Sequence, residues 1–173
     1  CYSVREGVSM TRILGLVIVG TLIGGAVAAQ DAAQGLTLYA EGRYAEAEPV
    51  LRAAAEDPEA RAHLAATLLR LERRAEAEVE AKAVLEANPV HPVAVAALGE
   101  ALVMQEKLEE AITRMSSALE ANKELAYAYY WRGQAYHRTK QIARMVDDYQ
   151  AFLTLQPEAP EAPALKVLLA SLS

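Results

Sequence analysis

The side chains that usually carry enzyme chemistry are few in this chain and widely separated. The three histidines, His63, His91 and His137, fall in different parts of the sequence without a spacing typical of metal ligands, and a zinc-type site needs several converging ligands. The sequence contains no H-E-x-x-H motif, no G-x-S-x-G motif and no phosphate-binding glycine loop. Cys1 is the only cysteine. We therefore expect no catalytic residue, no metal and no cofactor.

Side chains suited to protein recognition are concentrated between residues 127 and 138. Tyrosine, tryptophan and arginine anchor many interfaces because each combines a large buried area with a hydrogen-bonding tip. Tyr127, Tyr130 and Trp131 are therefore candidate partner-binding residues. The alternative is that they pack inside the fold, with Trp131 filling space opened by Phe152.

A fixed internal period organises the chain. Residues 98–102 (LGEAL) recur thirty-four positions later as residues 132–136 (RGQAY), and residues 64–68 (LAATL) precede the first of these at the same offset. The step from Gly35 to Ala65 is shorter, at thirty positions, so four residues are missing between the first two units. Since one helical turn contains 3.6 residues, such a loss shortens a helix while roughly keeping its faces in phase. A fixed period of this kind indicates a repeat architecture, here built from helices.

Each unit has the pattern of two amphipathic helices joined by a tight turn. In the third unit, apolar residues recur at three- and four-residue steps, as a helix with one buried face requires. These residues are Val95, Leu98, Leu102 and Val103, then Leu108, Ala111, Ile112, Met115 and Leu119. Small residues occur where helices must approach closely: Gly35, Ala65, Gly99 and Gly133 in the first helices, and Ala47, Ala77 and Ala111 in the second. No segment has a strand pattern, so we predict an all-α solenoid.

This pattern resembles the tetratricopeptide repeat family. The family places a small residue at position 8, an aromatic residue or leucine at 11, alanine at 20 and 27, and proline at 32. The resemblance implies about four helix-turn-helix repeats over residues 30–157, in units of about 30–57, 58–91, 92–125 and 126–157. The chain departs from the pattern at Lys123, which replaces the proline, and at Met145 and Phe152, which replace the alanines of the fourth unit. We expect wider helix packing there, because overpacking costs about 1–3 kcal/mol.

The C-terminal residues 158–173 are expected to form a capping helix, since an open solenoid needs a terminal element whose outer face tolerates water. Its apolar stripe would be Leu165, Leu168, Leu169 and Leu172, and its outer face would carry Glu161, Lys166 and Ser171. The alternative is a docking helix, because Val167 and Ala170 leave that outer face less polar than a good cap.

In the family that this chain resembles, the first helices line a concave groove. The resemblance implies these partner-binding residues: Tyr39, Arg70, Glu100, Met104, Tyr127, Tyr130, Trp131, Gln134, His137 and Arg138. The same positions also include Leu36, Ala62, Ala66, Leu69, Ala96 and Val103. The groove is thus expected to be apolar and shallow in the middle and aromatic and cationic at its carboxyl end, with Trp131 at its edge. Tyr129 and Tyr136 are expected in the core. For His137 and Arg138, the alternative to partner binding is that they lie in solvent at the end of a helix.

The ligand expected from this groove is an apolar segment. Some family members bind a peptide's terminal carboxylate through lysines and asparagines, but here the matching positions hold Ala62, His63, Ala66, Ala96 and Glu100. An apolar and acidic groove would leave that carboxylate without a partner. We therefore expect an extended or helical apolar segment of another protein, with an acidic residue near Arg138.

Residues 10–29 have the pattern of a secretory signal. Arg12 precedes an apolar run over residues 13–29 that ends in small residues spaced for signal peptidase. Residues 1–9 are then expected to lie upstream of the natural start at Met10. The alternative is an uncleaved membrane anchor, although the run is shorter than the ~20 residues usually needed to span a bilayer. Positive residues before the run place the repeats outside the inner membrane in either case, so we expect a bacterial periplasmic protein.

The charge balance disfavours several partners. The formal net charge is −6, and removal of the signal makes it more negative, which argues against nucleic acid. Several glutamates are expected on outward faces: Glu46, Glu48, Glu76, Glu78, Glu80, Glu109 and Glu110.

The leading hypothesis is a non-catalytic adaptor of the cell envelope that binds a segment of another protein. The alternative is a membrane-tethered structural subunit that self-associates through its repeats, and membrane contact is expected only through a retained N-terminal segment.

Overall fold

The computed structural model describes residues 31–172, and all regular secondary structure in this range is helical. Helix α1 occupies residues 31–40. The helices that follow are α2 (Tyr44–Ala53), α3 (Pro58–Arg70), α4 (Arg74–Ala87), α5 (Pro92–Met104), α6 (Leu108–Ala121), α7 (Ala126–Arg138), α8 (Ile142–Leu155) and α9 (Ala162–Ala170). The predicted all-α solenoid of helix-turn-helix repeats is confirmed. The interpretations of residues 1–9 and 10–29 lie outside the described residues.

The repeat period is visible in the positions of the helices. Helices α3, α5 and α7 begin at Pro58, Pro92 and Ala126, and each contains 13 residues. Their partners α4, α6 and α8 contain 14 residues each, whereas α2 contains 10. The four residues missing between the first two units therefore shorten α2 by about one turn, as predicted.

Small residues allow the helices to pack closely. Ala47, Ala77 and Ala111 are fully buried, as predicted. A Cβ atom placed on Gly99 would lie 2.7 Å from the Cβ of Trp131, and one placed on Gly133 would lie 2.6 Å from the Tyr149 ring. These positions must therefore lack a side chain for α5 to meet α7 and for α7 to meet α8.

The pattern of helix contacts explains the curvature. The first helices of successive units touch one another, since α3 packs on α5 and α5 packs on α7. The second helices α2, α4, α6 and α8 pack on first helices. Among themselves they are linked by long charged side chains: Arg52 on α2 lies 3.5 Å from Glu76 on α4. Likewise, Lys82 on α4 lies 2.9 Å from Glu110 on α6. The backbones of the first helices therefore approach one another more closely than those of the second helices. The solenoid is therefore concave on the side of the first helices.

The fourth unit accommodates its large residues by stacking aromatic rings. Met145 and Phe152, which replace the two alanines, are fully buried. The Tyr127 and Tyr130 rings lie 5.4 Å and 5.2 Å from the Phe152 ring, centroid to centroid. The interpretation that Trp131 fills this space is wrong, because the ring contacts of Phe152 come from the two tyrosines and the base of the Trp131 side chain lies against Gly99 on α5.

Each hairpin turn contains one residue in the left-handed backbone region. The residue is Gly42 in the first unit, with φ of 75°, and Glu72, Glu106 and Lys140 in the next three, with φ between 60° and 61°. Only glycine adopts this conformation without steric cost. The last three units therefore store backbone strain at equivalent points.

Two charged groups tie neighbouring helices together from buried positions. Glu78 is only 8% exposed, so its predicted outward placement is wrong. Its carboxylate accepts hydrogen bonds from Lys82, Lys107 and Gln105 at 2.6–2.8 Å. These three donors come from its own helix and from the turn before α6, so Glu78 joins the second and third units.

The second buried group joins α6, α7 and α8. Arg132 donates hydrogen bonds of 2.8 Å and 2.7 Å to the two carboxylate oxygens of Asp148 and one of 3.0 Å to Ser116 Oγ. Asp148 is 4% exposed. The Tyr129 and Tyr136 rings lie 5.7 Å and 5.8 Å from the Arg132 guanidinium, and Tyr136 is buried as predicted whereas Tyr129 is half-buried.

Helix α9 packs on α8 through part of its predicted stripe. Leu165 is buried, Leu168 and Leu169 are half-buried, and Leu172 is 50% exposed. Val167 is 73% exposed. Among the helices described here, none is both long and apolar enough to cross a membrane.

Candidate functional site

A cavity of about 450 Å³ opens on the concave side of the solenoid. It lies between the first helices of all four units and the turn before α9. It is lined by Tyr39, His63, Ala66, Leu69, Arg70, Pro92, Val93, Ala96, Ala97, Glu100, Tyr127, Tyr130, Trp131 and Glu161. This volume is within the usual range for a specific binding pocket.

An ion pair lies in the middle of the cavity. Arg70 Nη2 donates hydrogen bonds of 2.7 Å and 2.6 Å to the two carboxylate oxygens of Glu100, which joins α3 to α5. Burial raises the pKa of Glu100; the Arg70 charge opposes this effect and the Glu161 carboxylate adds to it. The middle of the groove is therefore polar, and its expected apolar character is wrong there.

Aromatic side chains of α7 form one wall. The Tyr130 ring lies 4.8 Å from the Trp131 ring and 6.0 Å from the Tyr127 ring, both edge to face. Trp131 is 9% exposed, so it forms the floor of the cavity rather than the predicted edge. The Tyr127 and Tyr130 rings also contact Phe152, so this wall packs on the core of the fourth unit.

Glu161 closes the carboxyl end of the cavity. Its carboxylate accepts a hydrogen bond of 3.3 Å from the Tyr127 hydroxyl, and among residues 31–172 it forms no ion pair. Burial raises the pKa of Tyr127, and the negative charge of Glu161 raises it further. The predicted outward placement of Glu161 is therefore wrong, and this end of the groove is acidic rather than cationic.

A small polar cluster borders the cavity near α3. Glu59 lies 3.3 Å from His63 Nδ1 and 3.2 Å from His91 Nε2 through its two carboxylate oxygens. The Tyr39 ring packs edge-on against the His63 ring at 5.1 Å. Two of the three histidines, which are distant in sequence, thus share one carboxylate. Within the described residues, no three His, Cys, Asp or Glu side chains are arranged to hold a metal ion.

The cavity brings together six of the ten predicted partner-binding residues. Those six are Tyr39, Arg70, Glu100, Tyr127, Tyr130 and Trp131. Gln134 does not line the cavity, but its side chain acts to lower the pKa of Tyr130 against the larger effect of burial. Among the further positions that the family implies, Ala66, Leu69 and Ala96 also line it. Ala62 and Val103 are buried between helices.

The remaining predicted residues lie outside the cavity. Met104 is 48% exposed at the end of α5, and His137 is exposed at the end of α7. Arg138 donates a hydrogen bond of 2.7 Å to the Val103 carbonyl and contacts Glu106. Because Arg138 is already paired, it is not available for the acidic ligand residue that the sequence led us to expect.

Pro92, Val93, Ala97 and Glu161 line the cavity but are not among the predicted groove positions, and Glu161 is the charged one of the four. It follows Tyr127 by one repeat period, and Tyr127 follows Val93 by the same interval; all three line the cavity. The turn before α9 therefore continues the repeat frame into the place of a fifth first helix. Extending the period by one step beyond residue 157 would have found it.

Comparisons with known proteins agree with this architecture. Models of the TPR repeat and of the tetratricopeptide repeat match residues 99–140, 126–158 and 64–114. No curated protein sequence matches the chain.

Several solved structures are similar in fold. TTC0263, a thermophilic TPR protein of Thermus thermophilus, is 24% identical with a TM-score of 0.69, covering 84% of this chain and 80% of its own. MamA from Desulfovibrio magneticus RS-1 is 23% identical with a TM-score of 0.63, over 82% of this chain and 84% of its own. YrrB, described as a TPR protein with an unusual peptide-binding site, is 20% identical with a TM-score of 0.65, over 82% and 75%.

Proposed function

Because this chain belongs to the tetratricopeptide repeat family, whose members are generally protein-interaction scaffolds, we propose that it is a non-catalytic adaptor. Its concave cavity holds a peptide or helical segment of another protein. The observation that carries this proposal is the cavity itself, which is lined by side chains of all four units. Aromatic groups and convergent polar groups in one concave site are the combination that specific binding requires.

The cellular setting that we propose is the bacterial envelope. This part of the proposal rests on the signal-like pattern of residues 10–29, with the repeats exported and the partner another envelope protein. N-terminal sequencing of the protein from fractionated cells tests it. A start at Ala29 or Gln30 in the periplasmic fraction supports export with cleavage, whereas recovery in the cytoplasm contradicts it.

Site-specific photo-crosslinking in the full chain tests the binding site. A photoreactive residue at Ala96, which lines the cavity, is expected to give a discrete adduct with a protein from extracts of the producing cells. The matched control is the same residue at Val79, which is 63% exposed and does not line the cavity. Adducts of equal yield from both positions, or none from Ala96, would show that the cavity is not the interface.

A second candidate function is self-association at the carboxyl end. Val167 and Leu172 are exposed apolar residues on and beside α9, where a further unit of a solenoid would stack. In this case Val167→Glu would convert a dimer or larger assembly to a monomer in sedimentation equilibrium. A native chain that is monomeric at all accessible concentrations would rule this function out.

A further inference from the structure

We infer that the cavity selects a basic side chain, lysine or arginine, as the anchor of the bound segment. This inference deepens the proposed function and rests on it. The occupant is an apolar segment with one cationic side chain, which lies between Glu161 and the aromatic wall of α7. It replaces the acidic anchor that the sequence led us to expect.

The first argument is the charge of the cavity. Arg70 is neutralised by the carboxylate of Glu100 through two short hydrogen bonds. The Glu161 carboxylate receives only the hydroxyl of Tyr127 at 3.3 Å and has no cationic partner in residues 31–172. The cavity therefore presents one uncompensated negative charge, which an ammonium or guanidinium group would pair.

The second argument is how far the field of Glu161 reaches. Burial is the main reason that the pKa values of Tyr127, Tyr130 and Glu100 are raised, and the negative charge of Glu161 raises all three further. These residues come from two helices on different sides of the cavity. A cation entering between them would therefore lie within the field of the Glu161 carboxylate.

The third argument is the aromatic lining. Tyr127 and Tyr130 in the wall and Trp131 in the floor bring three rings to one side of the cavity, with the centroids of successive rings 4.8–6.0 Å apart. A cation beside such rings is attracted by their quadrupoles, most strongly when water is excluded. Aromatic rings and a carboxylate together discriminate a basic side chain from an apolar one of equal length more strongly than the rings alone would.

The experiment is a selection from a random linear peptide display library on the immobilised full chain. We expect enrichment of peptides that carry one lysine or arginine within an apolar sequence. Replacing that lysine by norleucine, which keeps most of the chain length and removes the charge, should weaken binding by about tenfold. Binding is followed by the fluorescence of Trp131, the only tryptophan, which lines the cavity.

The matched protein variants are Glu161→Gln and Glu158→Gln. Glu161→Gln keeps the hydrogen-bond acceptor for Tyr127 but removes the charge, so it should weaken the lysine peptide by about tenfold and leave the norleucine peptide unchanged. Glu158→Gln changes an exposed residue three positions earlier that does not line the cavity, and it should change neither affinity. Equal far-ultraviolet circular dichroism spectra verify that both variants are folded.

The outcomes separate this inference from the proposed function. Selected peptides that lose binding when Ala96→Trp fills the cavity, but that carry no basic residue or are insensitive to Glu161→Gln, would overturn the basic anchor and leave the binding cavity intact. A selection that enriches no peptide, or only peptides that bind the Ala96→Trp variant as well as the native chain, would overturn both.

Discussion

The Trp131 side chain lies directly against the Cα of Gly99, so closely that a methyl group on Gly99 would be 2.7 Å from the Trp131 Cβ. This contact joins α5 to α7 and supports the floor of the cavity from below. A glycine inside a helix costs about 1 kcal/mol relative to alanine. The chain tolerates this cost because only glycine leaves room for the indole.

We expect Gly99→Ala to lower the free energy of unfolding by about 1–3 kcal/mol, despite the better helix propensity of alanine, because the clash is with the base of a side chain held in the core. Urea unfolding monitored by circular dichroism measures this. A second test is Gly35→Ala, whose new methyl group would lie 2.7 Å from Cγ and 3.3 Å from the backbone nitrogen of Leu51; because Leu51 is fully buried, this variant should be destabilised as well. A Gly99→Ala variant as stable as the native chain would contradict the close contact.

Replacing Lys140 by glycine should stabilise the protein. Lys140 has φ of 61° in the turn between α7 and α8, and a residue with a Cβ pays roughly 1–2 kcal/mol for that conformation. Glycine also has more conformational entropy in the unfolded chain, which offsets part of this gain. We therefore expect a net increase of about 0.5–1 kcal/mol in the free energy of unfolding. Lys140→Ala keeps the strain and serves as the control. Loss of stability in the glycine variant would argue against strain at this turn.

Glu78 should make the stability of the protein depend on pH in the acidic range. Burial acts to raise its pKa, but hydrogen bonds from Lys107, Lys82 and Gln105 outweigh this and lower the pKa to about 2. A carboxylate whose pKa is lower in the folded state than in the unfolded state stabilises the fold at pH values above its unfolded-state pKa. This stabilisation is lost as the pH falls through the folded-state pKa. The contribution is therefore complete at neutral pH and declines between about pH 5 and pH 2.

Thermal unfolding of Glu78→Gln over this range tests that assignment. At neutral pH the variant should be less stable by about 1–3 kcal/mol, and the difference from the native chain should shrink as the pH falls. Glu109→Gln, which changes an exposed glutamate on α6, should follow the native pH profile. A difference that stays constant down to pH 2 would show that the charge of Glu78 is not the cause.

Removing the carboxylate of Asp148 should be the most damaging charge change. Asp148→Asn leaves the Arg132 guanidinium largely buried without its anionic partner, and such a loss costs about 3–5 kcal/mol. Glu46→Gln provides the contrast, since its pair with Arg43 is exposed and should contribute at most about 1 kcal/mol. Chemical denaturation of both variants measures the difference. Similar midpoints for the two would show that burial does not distinguish the pairs.

The repeat architecture could be read from the sequence because its physical cause is periodic. Ala47, Ala77 and Ala111 are buried because each lies at the same crowded point of its unit, and a regular period reveals such points. The shortened α2 was predictable for the same reason, since four residues equal about one turn.

The individual features of the site were harder to predict. Glu78 has the sequence environment of a surface residue, and its burial follows from donors in the next unit, 27 and 29 residues away. Arg138 looked available because its partners, the Val103 carbonyl and Glu106, are 35 and 32 residues distant. Side chains that bridge units are decided by the stacking geometry, which the pattern within one unit does not contain.

The cavity is lined by side chains from four successive units and from the turn beyond them, whereas each unit of a solenoid normally contacts only its neighbours. A bound segment would therefore contact several units at once and add connections between units that the unliganded protein lacks. Its binding free energy would stabilise each interface between units that it spans. With the segment bound, a solenoid whose end units can unfold separately would instead unfold cooperatively, as one body.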